Sequence, residues 1–226
     1  MQPLSLLLPG LDGTGELFER FVAAASRDWP VRIVPLPSDR PRGYHDLAEC
    51  LLPALPTERF ALIAESFSGP LAILLANRCP QIYAVVLAAS FARAPIPRAF
   101  ARLAGLAGRL QPPAWALRVF MTGGDPVLTE SVRRVLPAAG RDVIGGRIAA
   151  VSSVDVTSEL QRVRQPLLVL RGARDRLIHA RAAETIRALK PAATLVDLDG
   201  AHLLLQTTPN ECWAAIQPFL RGTAAL

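Results

Sequence analysis

The 226-residue chain is predicted to be an α/β protein, with a mostly parallel sheet of about six strands flanked by helices. Three observations predict this. Short, near-continuous apolar runs alternate with amphipathic runs, the pattern of strands buried on both faces and joined by crossover helices. One apolar run passes through a serine straight into a helical run. After the fourth apolar run the alternation stops, and residues 92–164 contain helix-like pieces only.

The elements follow in order. Leu4 to Leu8 is the first strand, closed by Pro9-Gly10. Glu16 to Ser26 carries Leu17, Phe18, Phe21, Val22 and Ala25 at helical spacing. Val31 to Val34 is the second strand, and Tyr44 to Leu55 a helix with Leu47, Leu51, Leu52 and Leu55 on one face. Arg59 to Glu65 is the third strand and Pro70 to Arg78 the helix after it. Ala84 to Ala89, Leu167 to Leu170 and Thr194 to Leu198 are the remaining strands, and a last helix holds Cys212, Trp213, Ile216, Phe219 and Leu220. Between the fourth and fifth strands, Arg98 to Leu110, Ala114 to Met121, Thr129 to Leu136 and Asp142 to Val151 read as helices. A stretch that long needs structure of its own or a function, and a helical cap inserted above the sheet is expected. The domain expectation is therefore a core of residues 1–91 and 165–226 with a cap of residues 92–164.

Composition excludes several classes. With 51% hydrophobic residues the chain is not disordered. No apolar run approaches the roughly 20 residues that span a bilayer. Leu4 to Leu8 is too short, and lacks the basic flank, for a secretion signal. Cys50, Cys79 and Cys212 are scattered and odd in number, which argues against a disulfide framework and for a reducing, cytoplasmic setting. No cysteine has a histidine nearby, so neither a thiol nucleophile nor a metal site is expected.

The chemistry centres on Ser66. It stands at the strand-to-helix corner Ala64-Glu65-Ser66-Phe67-Ser68-Gly69, with small residues two before and two and three after it. Such a corner lifts the hydroxyl out of the sheet, over a helix N-terminus that favours an oxyanion. Ser68 is the alternative nucleophile under a shifted register, but Pro70 then sits two after it and the strand overruns. Serine attack needs a base and a carboxylate to orient that base. His45 opens a helix in a polar stretch, and His179 sits near a helix start. His202, in Asp199-Gly200-Ala201-His202, follows the last strand and is favoured because that loop opens at the carboxyl edge of the sheet. Asp175, after the fifth strand, is the favoured acid. Asp197 lies inside a strand and Asp199 at a turn. An oxyanion hole needs two backbone N–H groups. Phe67 and Leu11 are the expected donors, the latter in Pro9-Gly10-Leu11-Asp12-Gly13-Thr14-Gly15. That loop lacks the Lys-Ser/Thr of a phosphate-binding loop.

The order Ser66, Asp175, His202, the Pro-Gly loop and the cap position together resemble the α/β-hydrolase superfamily over nearly the whole chain. Its pattern departs from Gly-x-Ser-x-Gly, since both outer glycines are replaced by Ala64 and Ser68, and Pro9 stands where many relatives carry histidine. The chain begins at the oxyanion strand, which makes it a compact version. The resemblance implies a serine hydrolase of carboxylic esters or thioesters that forms an acyl-enzyme, with no metal and no organic cofactor. It implies a small acyl ester as substrate. Gly10, Asp12, Trp115 and Phe120 are expected around that substrate. Residues 92–165 hold eleven Arg against five acids, an excess equal to the +6 of the whole chain. Such a patch is similar to those of carboxylesterases that act on an acyl chain held by an acidic acyl carrier protein, with Arg98, Arg102 and Arg109 as candidate contacts. No nucleic-acid reading motif accompanies the arginines. An acyltransferase and a non-catalytic binding protein on the same scaffold are the alternative functions.

Overall fold

Six parallel strands form one sheet in the order β2-β1-β3-β4-β5-β6 in a computed structural model, which describes residues 3–26, 29–95 and 112–224. The strands are β1 (Leu4–Leu8), β2 (Val31–Ile33), β3 (Phe60–Glu65), β4 (Ile82–Ala88), β5 (Leu167–Gly172) and β6 (Thr194–Leu198). All six residues of β3 and all seven of β4 are buried, as expected of central parallel strands covered on both faces. Their side chains alternate between two cores. Phe60, Leu62 and Ala64 pack on one face with Leu6 and Leu8, while Ala61 and Ile63 pack on the other with Leu7.

Helices α1 (Glu19–Ala25), α2 (Tyr44–Leu51) and α3 (Ser68–Ala76) join the first four strands. Helix α3 is buried along its whole length, and Pro70 sits in its first turn, where a missing N–H costs nothing. The helical stripe over Glu16–Ser26 divides into a 3₁₀ turn, Glu16–Phe18, and α1. Pro53 likewise turns the end of the second stripe into a 3₁₀ turn, Leu52–Ala54.

Four described helices lie between β4 and β5: α4 (Ala114–Phe120), α5 (Pro126–Ala138), α6 (Arg141–Ser153) and α7 (Thr157–Arg162). The expected helix over Arg98 to Leu110 lies outside the described residues. Leu117 of α4 and Leu128 and Val132 of α5 form a small cluster with Leu203, next to the candidate base. Leu160 of α7 instead joins the core beside α3. The chain closes with α8 (Ala180–Leu189), α9 (Leu204–Thr207) and α10 (Pro209–Ala224).

The chain runs from β1 outward to β2, then crosses back to β3 on the other side of β1. Beyond the carboxyl ends of β1 and β3, at this change of direction, an open α/β sheet leaves a crevice. Gly10 and Ser66 stand there.

Candidate active site

Ser66 has φ 50°, in the left-handed region that few side chains occupy. The strain is of order 1–3 kcal/mol and must be held by its surroundings. They hold it from three sides. The Ser66 amide donates to Ala88 O at 2.9 Å, and Ser66 O accepts from the Gly69 amide at 3.1 Å and from Ser90 Oγ at 2.6 Å. A Cβ on Gly69 would lie 1.8 Å from Ser90 Oγ, so this position requires glycine. Ser68 is fully buried and donates its hydroxyl to Pro9 O, tying the corner to the loop after β1.

Three side chains meet over the sheet edge. Ser66 Oγ is 2.8 Å from His202 Nε2, and His202 Nδ1 is 2.9 Å from Asp175 Oδ2. Asp175 Oδ1 accepts from the Leu177 and Ile178 amides at 2.8 and 2.9 Å, which fixes the carboxylate plane. With the Nδ1 proton facing Asp175, Nε2 is left to accept from the Ser66 hydroxyl. Asp197 and Asp199, nearer in sequence, point elsewhere and pair with Arg171 and Arg174. His45 and His179 are exposed on α2 and at the start of α8. Gly200 serves close packing rather than a left-handed turn: a Cβ there would meet Leu204 Cδ1 at 2.3 Å.

Leu11 and Phe67 flank Ser66 around one cavity. Neither amide donates to a backbone carbonyl in the described turns and loops. The loop that carries Leu11 folds on itself: the Gly13 amide donates to Gly10 O at 3.1 Å, and Asp12 Oδ1 accepts from the Thr14 amide and hydroxyl at 2.9 and 2.6 Å. Asp12 thus shapes its own loop at the cavity wall. Gly10 has no left-handed φ, and a Cβ there would meet Ser66 Cβ only at 4.0 Å, an ordinary contact. The Phe67 ring stacks on Tyr44, centroids 4.8 Å apart.

The cavity has a volume of about 250 Å³ and opens over Ser66 and His202. Its described walls are almost wholly apolar and include Phe91, Met121, Val132, Leu136, Ile148, Val151 and Ile178. Trp115 and Phe120 are not among them: Trp115 is 65% exposed and Phe120 39% exposed. Periodicity identified their helix but not the face that meets the cavity. Among the described residues no group of three or more His, Cys, Asp or Glu is placed to hold a metal, and no helix is long and apolar enough to cross a membrane.

Glu65 is the least expected residue here. It ends the buried strand, 1% exposed, and accepts from the Leu205 amide at 3.1 Å and from Gln206 Nε2 at 2.8 Å. It therefore joins the Ser66 corner to the helix that follows His202. Burial pushes its carboxyl up to about 7, against the pull of these two donors. A folded pKa above the unfolded one means that the native state keeps a proton which the unfolded chain releases from about pH 4.5 upward. Stability from this group is full at low pH and lost as pH rises through about 7, by up to ~3 kcal/mol. In Glu65→Gln the new side-chain amide can be accommodated, because Gln206 Oε1 is buried without a partner and can turn to accept from it after a flip. Glu65→Gln is therefore expected to flatten the fall in Tm between pH 5 and 8. A wild-type Tm that does not fall across that window would refute the buried proton.

Ser90, Glu65 and Arg147 are the site's residues that the sequence reading did not assign to it, while Ser68, weighed there as the alternative nucleophile, is buried and spends its hydroxyl on Pro9 O. Two carried a usable signal. Glu65 is a carboxylate within an otherwise apolar strand. Arg147 sits on the face of α6 shared by Val143 and Val151, at i, i+4 and i+8.

A parallel α/β sheet whose carboxyl edge brings a strained serine, a histidine and an aspartate into one hydrogen-bonded row defines a recognisable class of protein. The chain belongs to the alpha/beta hydrolase family, whose profile matches residues 6–215. Solved structures agree. A hydrolase from Pseudomonas aeruginosa is 28% identical, with TM-score 0.81, and the match covers 97% of this chain and 90% of that one. The enol-lactonase from Burkholderia xenovorans is 20% identical, with TM-score 0.86 over 98% and 92% of the two chains. An esterase from Exiguobacterium antarcticum is 12% identical, with TM-score 0.83 over 97% and 92%. No curated protein matches the sequence.

Proposed function

We propose that the protein is a serine hydrolase that cleaves carboxylic esters with apolar acyl groups. The observation that carries this reading is the unbroken row from Ser66 through His202 to Asp175, opening on an apolar cavity. Membership of a hydrolase family, and an esterase and an enol-lactonase among similar structures, support it.

In this reading His202 Nε2 takes the Ser66 proton as Oγ attacks the ester carbonyl. The Leu11 and Phe67 amides hold the oxyanion. The imidazolium, steadied by Asp175, gives its proton to the leaving alcohol. Water, deprotonated by the same imidazole, releases the acid from the acyl-enzyme. Helices α4 to α6 form the cap. A cavity of ~150 Å³ accommodates benzene, so this one has room for roughly ten heavy atoms. The carrier-protein expectation turns on Arg98, Arg102 and Arg109, which lie outside the described residues. In the described part of the insert Arg133 and Arg162 pair with Glu130 and Glu159, and Arg147 is buried.

A fluorophosphonate probe tests the reading. Wild-type protein is expected to be labelled, and Ser66→Ala is not. Rates on p-nitrophenyl esters are expected to peak at acyl chains of about four to eight carbons and to fall by palmitate, as the cavity volume requires. Product analysis with added alcohol separates water from an alcohol acceptor. Labelling that persists in Ser66→Ala would remove Ser66 from the mechanism.

A further inference from the structure

Arg147 is 1% exposed, and the acid whose charge acts on it is Asp12, with no direct ion pair between them among the described residues. Its guanidinium donates instead to three backbone carbonyls: Nη1 to Leu11 O at 2.8 Å and Asp12 O at 2.7 Å, and Nη2 to Pro37 O at 3.0 Å. The same group lies 5.9 Å from the centroid of the Phe67 ring. One side chain from α6 therefore touches both residues whose amides flank Ser66.

Several features adapt the surroundings to this contact. A Cβ on Gly13 would stand 2.3 Å from Arg147 Nη1, so glycine lets the guanidinium reach the loop. Gly13 also has φ 73°, open to glycine at no cost. Gly146, beside Arg147, lets α6 lie against Pro41, where a Cβ would come within 2.7 Å. Two consecutive glycines weaken a helix interior, so Gly145-Gly146 is a costly place to have them unless close approach matters. A buried cation is also costly, and besides the attraction of the Asp12 carboxylate, three carbonyl acceptors are what hold it. Ile148, the next residue on α6, lines the cavity.

We propose that Arg147 is a positioning residue for the oxyanion hole, fixing the Leu11 loop relative to Phe67 and making that geometry depend on the seating of α6. This inference rests on the acyl-transfer reading of the site. Arg147 touches no reacting atom. It acts by holding two donors at one separation, and such donors lose their value when displaced by a fraction of an ångström. Lysine is a poor substitute, because a single ammonium lacks the planar fork that reaches three carbonyls.

The test uses Arg147→Gln and Arg147→Lys with a trifluoromethyl ketone. In the wild type Ser66 Oγ adds to the ketone carbon, its proton passes to His202, and the new oxyanion faces the Leu11 and Phe67 amides. Arg147→Gln is expected to lose about 10²-fold in kcat with KM changed less than threefold, and ketone affinity is expected to fall in parallel with kcat/KM. Arg147→Lys is expected to lose about tenfold, and it carries the test if the glutamine variant does not fold. Folded variants that keep kcat and ketone affinity within twofold of wild type overturn the proposal. So do variants whose activity falls only with the folded fraction. A wild-type protein that forms no ketone adduct instead overturns the acyl-transfer reading, and the role of Arg147 with it.

Discussion

Asp175→Asn is expected to lower kcat by about 10⁴-fold while leaving the fold intact, because it reverses a proton rather than removing a group. Asp175 Oδ1 is held by the Leu177 and Ile178 amides, so the corresponding position in asparagine must be the carbonyl oxygen. That leaves the asparagine N–H₂ facing His202 Nδ1, where an acceptor stood. The imidazole then places its proton on Nε2 and can no longer accept from the Ser66 hydroxyl. Steady-state kinetics and a thermal melt check both halves. If Asp175→Asn keeps a tenth of wild-type kcat, the carboxylate does not set the histidine tautomer. Unchanged Tm with lost activity is the signature of the tautomer argument.

Gly172→Ala is expected to lower stability by about 1–3 kcal/mol and activity by roughly 10²-fold together. Gly172 ends β5, three residues before Asp175. An added Cβ would stand 2.7 Å from Gly200 O and 2.9 Å from Ala201 O, both backbone atoms of the loop that carries His202. No side chain can rotate away, so the loop must move, and with it the imidazole. Gly222→Ala is the control, because a Cβ there meets nothing within 4 Å and lies in a helix that alanine favours. Thermal melts and kinetics on the two variants give the answer. A Gly172→Ala protein as stable and active as the Gly222→Ala one would mean that β5 and the His202 loop are not in close register.

The linkage of Glu65 and the reach of Arg147 belong to the same picture. The corner at Ser66 is fastened to the loop after β1 by Ser68, to the segment after β4 by Ser90, and to the segment after His202 by Glu65. Each fastening joins two elements that carry a different part of the site. Strain at φ 50° is held by contacts that also set the distances between functional groups.

Much of this was legible along the chain. The strand Phe60–Glu65 and helix α3 are strongly patterned, and between them Ser66 stands out by its small neighbours. His202 and Asp175 were reached through the order of strands, because parallel strands put every following loop at the same edge. Element ends were read less well: α1 and α2 each lose a turn to 3₁₀ geometry, and the six-residue α7 is too short to show a period. Trp115 and Phe120 were assigned to the substrate because an apolar stripe marks a face without saying what covers it. Arg147 went unassigned for the converse reason, since its partners are carbonyls that every residue carries.

Local pattern alone therefore determined the class of fold and the strand-to-helix corner at which Ser66 stands. Folding decided which far-apart groups meet: Ser66 and His202 are 136 residues apart, as are Arg147 and Leu11. The physical reason is that apolar periodicity encodes which face of an element is buried, whereas contacts to main-chain oxygens and atoms within hydrogen-bond reach depend on where whole elements come to rest against one another.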